Sequence, residues 1–269
     1  MKLAFSTLGC PKWGADQILQ AARESGYAGV ELRFYEGSMD LPTVIGARPG
    51  GAEGLAQRFA AANLAVCCTD SSVVLTKPEA DVTDGEKVID LAVALKSPYI
   101  RVFGGAVPEG ESLESARARA ADKLRRLGAY GAARGVRVLL ETHDAFSTGA
   151  SVADLLRLSG DTGIGVIWDI HHPHELAEPL SDTVALIGAQ TYHVHVKDGK
   201  SDGTLTLLGE GDLPLKEILG AIKGLGYTGF LSLEWEKAWH PEIADPEVAF
   251  PHAAKFLRAM CQELGIPLG

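Results

Sequence analysis

The strongest constraint on what this chain can fold into is a repeated alternation. Short β-rich runs give way to longer stretches of helical periodicity from one end of the sequence to the other. The patterning predicts strands at Lys2 to Thr7, Gly29 to Phe34, Ala65 to Asp70, Tyr99 to Phe103, Val136 to Glu141, Gly165 to Asp169, Thr191 to Lys197 and Thr228 to Trp235. Helices are predicted between them at Ala15 to Ser25, Gly51 to Ala62, Asp84 to Leu95, Ser112 to Arg134, Val152 to Leu158, Leu176 to Ile187, Leu215 to Gly224 and Pro246 to Leu264. Spread over 269 residues, each βα unit averages about 33 residues, the size expected in a (β/α)8 barrel. The expected fold is therefore α/β, one barrel domain covering residues 1–269. An open doubly wound sheet fits less well, because no G-x-G-x-x-G follows the first strand.

Local chemistry punctuates the same scheme. Gly26, Gly135 and Gly226 fall just past predicted helices, where a left-handed C-cap suits glycine. Ser112 and Ser151 are predicted N-caps, Ser151 with Asp154 three residues on. The Gly/Pro-rich stretches 37–51 and 104–111 both follow strands, so in a barrel they are loops of the face that carries active sites.

Composition narrows the function classes. Apolar residues at 46% and charged residues at 22% allow a large core. The formal net charge of −10 works against neutralising a phosphate backbone, so no nucleic-acid partner is expected. Cys10, Cys67, Cys68 and Cys261 show no C-x-x-C spacing, which fits a reducing cytoplasm. The opening MKLAFSTLGC lacks the features of a signal peptide, and no run is long enough for a membrane span. A soluble cytoplasmic protein is expected.

The informative residues sit on the last four strands. Strands covered on both faces should be almost entirely apolar, yet VRVLLETHD, GVIWDIHH, TYHVHVKD and FLSLEWEK end in acids and imidazoles. Side-chain alternation puts His193, His195 and Lys197 on one face, and Ser232, Glu234 and Glu236 on one face. Glu141, Asp169, His195 and Glu234 can thus converge around the top of one core. Their carboxylates and imidazole form a hard ligand set suited to one Mn2+, Mg2+ or Co2+ ion, with Zn2+ also acceptable. The plain alternative is an internal salt-bridge network to Arg33, Arg101 or Lys197, but ion pairing does not require one acid or His on each of four consecutive strands. Glu236 shares a face with Glu234 and is an alternative ligand. Trp13, Trp239 and Phe103 are candidates for an apolar wall. LGEGD is too short for a phosphate loop and reads as a turn, and Arg117 to Arg126 reads as a solvated helix face.

The ordered set GVELR, RVFGG, LLETH, WDIHH, HVHVKD, LGEGDLP and GFLSLEWEK resembles the xylose isomerase-like superfamily, also called the sugar phosphate isomerase/epimerase family, over essentially the whole chain. The resemblance implies metal binding by Glu141, Asp169, His195 and Glu234, with His172 as the family's further histidine. It implies proton transfer by Glu141 and Glu234 through a metal-stabilised enediolate of a small sugar or cyclitol. His172, Lys197, Arg101, Glu31, Trp13 and Glu236 are the expected substrate-binding groups, and Glu31 could instead pair with Arg33 or Arg101. An isomerase or epimerase is therefore expected, with a homo-oligomer in keeping with the family. Alternatives on the same fold are an inosose-type dehydratase, an apurinic-site endonuclease-like phosphodiesterase and a non-catalytic sugar-binding protein. The ketose 3-epimerases of the family carry an Arg six residues after the metal-binding His, where this chain has Ser201.

Overall fold

The computed structural model describes residues 1–79, 82–160 and 162–269. Its strands are β1 (Lys2–Ser6), β2 (Gly29–Leu32), β3 (Ala65–Val74), β4 (Tyr99–Phe103), β5 (Arg137–Glu141), β6 (Ile164–Asp169), β7 (Thr191–Val196), β8 (Asp198–Gly199), β9 (Leu205–Thr206) and β10 (Phe230–Leu233). The helices are α1 (Ala15–Ser25), α2 (Leu41–Gly46), α3 (Gly51–Ala61), α4 (Val82–Leu95), α5 (Leu113–Ala132), α6 (Gly149–Ser159), α7 (His171–Glu175), α8 (Leu180–Ile187), α9 (Leu215–Gly224) and α10 (Pro246–Glu263). The long strands follow the closed order β1-β10-β7-β6-β5-β4-β3-β2, the (β/α)8 barrel that strand spacing predicts, while β8 and β9 form a separate antiparallel ribbon. Among the described residues no helix is long and apolar enough to cross a membrane.

All eight predicted strands are present, with ends shifted by a few residues. The 37–51 loop contains α2, which the sequence reading passed over. Asp40 caps it by accepting from the Thr43 amide at 3.2 Å, and six residues show too little periodicity to stand out. The predicted Leu176 to Ile187 helix starts only at Leu180, as α8; the short α7 precedes the predicted range, and between the two Ala177 takes φ 55°. Ser151 is not an N-cap. The helix begins a turn earlier, and the Thr148 hydroxyl accepts the Ser151 amide at 3.1 Å. Ser112 caps α5 as expected, and Gly26, Gly135 and Gly226 take φ 70°, 75° and 71°.

The chain divides into two compact units, Met1–Cys67 with Val194–Gly269, and Cys68–His193. In the first unit Phe5, Tyr27 and Phe250 form a buried aromatic cluster with ring centroids 4.5 to 6.5 Å apart. The Tyr27 hydroxyl donates to the Phe250 carbonyl at 2.7 Å, so its polar end is satisfied inside the cluster. Each such ring contributes roughly 1.5–3 kcal/mol by leaving water. Gly9 approaches closely here, since a Cβ on it would lie 2.7 Å from the Phe250 ring.

In the second unit Cys68 of β3, Leu139 of β5 and Ile167 of β6 meet in one buried cluster, with Tyr99 and Tyr192 packed against it. Because a strand returns to the same face every second residue, this apolar layer places Asp70, Glu141 and Asp169 on the same face about 6.6 Å further along. Apolar packing below thus aims the acids above it.

Candidate metal centre

Within the Cys68–His193 unit, three strands deliver buried acids and one delivers a buried cation. The β3–β4 register aligns Asp70 with Arg101, and the β5–β6 register aligns Glu141 with Ile167. The Arg101 guanidinium lies 3.1 Å from Glu141 Oε2 and 3.6 Å from Asp70 Oδ2, and it stacks 4.1 Å from the Phe103 ring centroid. Just beyond Asp70, β3 bulges, and the Ser71 hydroxyl donates to the Arg101 carbonyl at 2.6 Å. Bulges of this kind re-aim side chains beside functional sites.

Asp169 is fixed from both directions by Thr142. The buried hydroxyl accepts the Asp169 amide at 2.9 Å and donates to its carbonyl at 3.0 Å. Its carboxylate accepts the His171 amide at 2.9 Å through Oδ1, and Oδ2 lies 3.5 Å from His172 Nε2. The rings of Phe103, His143, His172 and His171 follow one another at centroid distances of 4.9, 4.8 and 5.7 Å. His143 Nδ1 stands 3.1 Å from Asp144 Oδ2, and this hydrogen bond holds the Asp144 carboxyl below its usual range against the opposing effect of partial burial.

The other unit carries the complementary set. Ser232 of β10 is in register with His195 of β7, and the Glu234 amide donates to the Val196 carbonyl at 3.1 Å. Glu234 therefore lies level with Lys197, whose ammonium is 3.0 Å from Glu234 Oε2 and 2.8 Å from Glu236 Oε1. His195 Nε2 lies 2.8 Å from Glu31 Oε1, and its Nδ1 lies 3.3 Å from Glu234 Oε1. Each ring nitrogen of His195 thus faces a carboxylate. A neutral ring donates through one nitrogen and presents the lone pair of the other, the form in which a carboxylate orients a metal-binding histidine.

Of the expected substrate groups, Arg101 and Lys197 are thus ion-paired with the two glutamates, Glu236 shares Lys197, and Glu31 meets His195. Trp13 lies elsewhere in its unit, edge-on to Phe250 at 5.7 Å and lining a cleft of about 190 Å3 with Gln17, Glu24 and Glu247. Asp70 was not singled out by the sequence reading, although an acid closing a predicted buried strand was the same signal that marked Glu141 and Asp169. Asp198 was also missed. Its buried carboxylate accepts the amides of Gly199, Gly209 and Gly211 at 2.9, 2.8 and 3.1 Å and so gathers the LGEGD turn.

The chain has acidic and histidine groups able to bind a metal. One of these groups joins Glu141 and Asp169, buried in the Cys68–His193 unit, with His195 and Glu234, buried in the other. Charge supports the fit. In the Cys68–His193 unit Asp70, Glu141 and Asp169 are buried on one strand face, and the Arg101 guanidinium lies beside Asp70 and Glu141. Buried carboxylates are costly to leave uncompensated, and their hard oxygens are the donors a divalent cation takes.

Residues 19–260 match the xylose isomerase-like TIM barrel family. The chain belongs to that family. Fructoselysine 3-epimerase of Escherichia coli O157:H7 is 29% identical over 152 residues, 54% of this chain and 54% of that protein. The chain spans about half or less of the length of the curated relatives it matches. Among solved structures, L-ribulose 3-epimerase aligns with TM-score 0.82 at 17% identity, over 98% of this chain and 95% of that one. The IOLI protein, solved with a bound zinc atom, aligns with TM-score 0.79 at 17% identity over 98% of both chains. At these identities the structures show a shared fold.

Proposed function

We propose that this chain is a divalent-metal-dependent isomerase or epimerase of a small hydroxy-carbonyl compound, a sugar or a cyclitol. The observation that carries the reading is the four-residue group of Glu141, Asp169, His195 and Glu234, three hard carboxylates and one imidazole, all buried. The names of its relatives, two of them 3-epimerases and one a zinc-binding protein, support the same class. Glu141, Asp169, His195 and Glu234 would hold the ion. When bound, a divalent ion supplies Lewis acidity to a carbonyl and its neighbouring hydroxyl.

The chain's own groups account for the rest. Glu141 and Glu234 are the proton-transfer pair, one removing the carbon-bound proton and the other returning it. Arg101 and Lys197 hold these two carboxylates in place and offer N–H donors to substrate oxygens. Glu31 orients His195, and Thr142 fixes the backbone of Asp169. His172 and Glu236 present polar groups to substrate.

The test is solvent exchange. The protein supplied with Mn2+ is incubated in D2O with a panel of ketoses and inososes, and deuterium at carbon is followed by NMR. Incorporation without loss of mass supports isomerase or epimerase chemistry. A product lighter by one water assigns a dehydratase instead. No exchange with metal demonstrably bound contradicts the proposal.

A further inference from the structure

The loop after β10 carries Trp239, an apolar-wall candidate of the sequence to which the proposed function gives no role. Trp239 is 50% exposed, and its ring meets Phe34 edge-to-face at 5.5 Å. The other large exposed apolar side chains of the described residues lie mainly on outer helices, such as Val93, Leu158 and Leu186. Trp239 and Phe34 instead follow strand ends that bear site carboxylates, Phe34 three residues after Glu31 and Trp239 five after Glu234. Lone exposed apolar residues are ordinary. A half-exposed indole on a braced loop, beside a carboxylate that reaches the site's lysine, is not.

The bracing is extensive. The Lys237 ammonium donates to the carbonyls of Pro241 and Ile243 at 2.7 and 2.5 Å and pairs with Asp245 at 3.0 Å. The Trp235 indole donates to the Ala244 carbonyl at 2.8 Å, and the Ala238 amide donates to the Leu8 carbonyl at 3.2 Å. The amides of Trp239 and His240 both donate to the Glu236 carbonyl at 3.0 Å. The ring is therefore held ready before any ligand arrives, which lowers the ordering cost of binding. Its polar neighbours carry both charges, with the Arg33 guanidinium 5.9 Å from the Phe34 ring centroid and Lys237 within the loop. Glu236 links Lys197 on one side, at 2.8 Å, to His240 on the other, at 3.8 Å, and His240 faces Glu242 at 3.3 Å.

We infer that Trp239, supported by Phe34, is a subsite for a second, uncharged sugar ring attached to the reacting unit, with Glu236 and His240 accepting or donating to its hydroxyls. An aromatic face covers the C–H side of a ring while carboxylate and imidazole serve its hydroxyls. A phosphate has no C–H face to lay on an indole, so a phosphorylated extension gains nothing from this contact. This inference rests on the proposed function, and it narrows the substrate to a glycoside-like conjugate in place of a free monosaccharide.

The experiment measures binding to the Mn2+-loaded protein by calorimetry, with D-fructose, the ring-bearing ketoses isomaltulose, lactulose and turanose, and D-fructose 6-phosphate as probes. At least one ring-bearing ketose should bind about three- to tenfold tighter than D-fructose, the range that an aromatic ring contact supplies. D-fructose 6-phosphate, which has no second ring, should show no such gain over D-fructose. In Trp239→Ala the preference should fall to about one, and Trp239→Phe should keep most of it, on the same ring-contact argument. D-fructose binding with no preference among the probes overturns the subsite alone. Failure of every ketose to bind the metal-loaded protein overturns both the subsite and the proposed function. A preference that survives Trp239→Ala, or a change of oligomeric mass in that variant marking the indole as a contact between copies, also overturns the subsite.

Discussion

Glu141 and Glu234 both lie buried at a strand end against a cation, but the first faces the guanidinium of Arg101 and the second the ammonium of Lys197. Arg101 is buried, stacked on Phe103 and close to a second acid, Asp70. Lys197 divides its charge between Glu234 and Glu236, and Glu236 is 20% exposed and reaches His240 at the surface. A planar guanidinium offers a fixed fork and a permanent charge, whereas an ammonium on a flexible stem is a point charge with rotatable donors. One glutamate is thus set in a dry, rigid frame and the other beside a frame open toward water. The two members of a proton-transfer pair need not be alike, and this difference would let one hold its position while the other adjusts to substrate.

The largest expected effect tests whether the two glutamates form a pair at all. Glu141→Gln and Glu234→Gln should each reduce solvent exchange at substrate carbon by roughly 10²–10⁴-fold, the usual contribution of a positioned acid or base. Full exchange in either variant breaks the pairing. Next is the contrast between their cations. Arg101→Met leaves Glu141 and Asp70 buried without their guanidinium and should cost about 3–5 kcal/mol in urea unfolding. Lys197→Met should cost less, because Glu236 can turn to solvent. Equal losses would remove the dry-versus-open distinction.

Smaller effects sharpen the same picture. Glu31→Gln should weaken Mn2+ binding by roughly 10–100-fold, since it loosens the orientation of His195. Asp70→Asn, which touches Arg101 instead of a proposed ligand, should change Mn2+ affinity much less. The smallest effect lies outside the site. Glu111 accepts from Arg119 and Ser115, and the Arg119 hydrogen bonds hold its carboxyl at about 2, below the ordinary 4.5. Its folded pKa is depressed, so its contribution is present above the ordinary carboxylate range and is lost as pH falls toward the folded value. Glu111→Gln should therefore lower stability slightly in the neutral region and flatten the acid limb of a stability-versus-pH curve between those two values, so that the two proteins converge in acid.

Much of the barrel was legible because strand and helix periodicities differ and glycines mark the helix ends. Glu141, Asp169, His195 and Glu234 were legible for a simple reason: ionisable residues ending otherwise apolar strands need partners. The partners themselves were less readable. Glu31 and His195 are 164 positions apart, so only the register of strands makes them neighbours, and the sequence offered Arg33 or Arg101 just as readily. Asp70 carried the right signal but no motif around it. Short features escaped for want of periodicity: α2, the β8–β9 ribbon and the break between α7 and α8. The Asp198 hub depends on backbone amides, which carry no side-chain signature.

The claim on which everything else depends is that Glu141, Asp169, His195 and Glu234 hold one divalent ion. Calorimetric titration of chelator-treated protein with Mn2+ tests it most directly, comparing the natural chain with Asp169→Asn and Glu234→Gln. One ion per chain, with binding lost or sharply weakened in both variants, is the predicted result. No binding, three ions per chain, or affinity unchanged in the variants would contradict it.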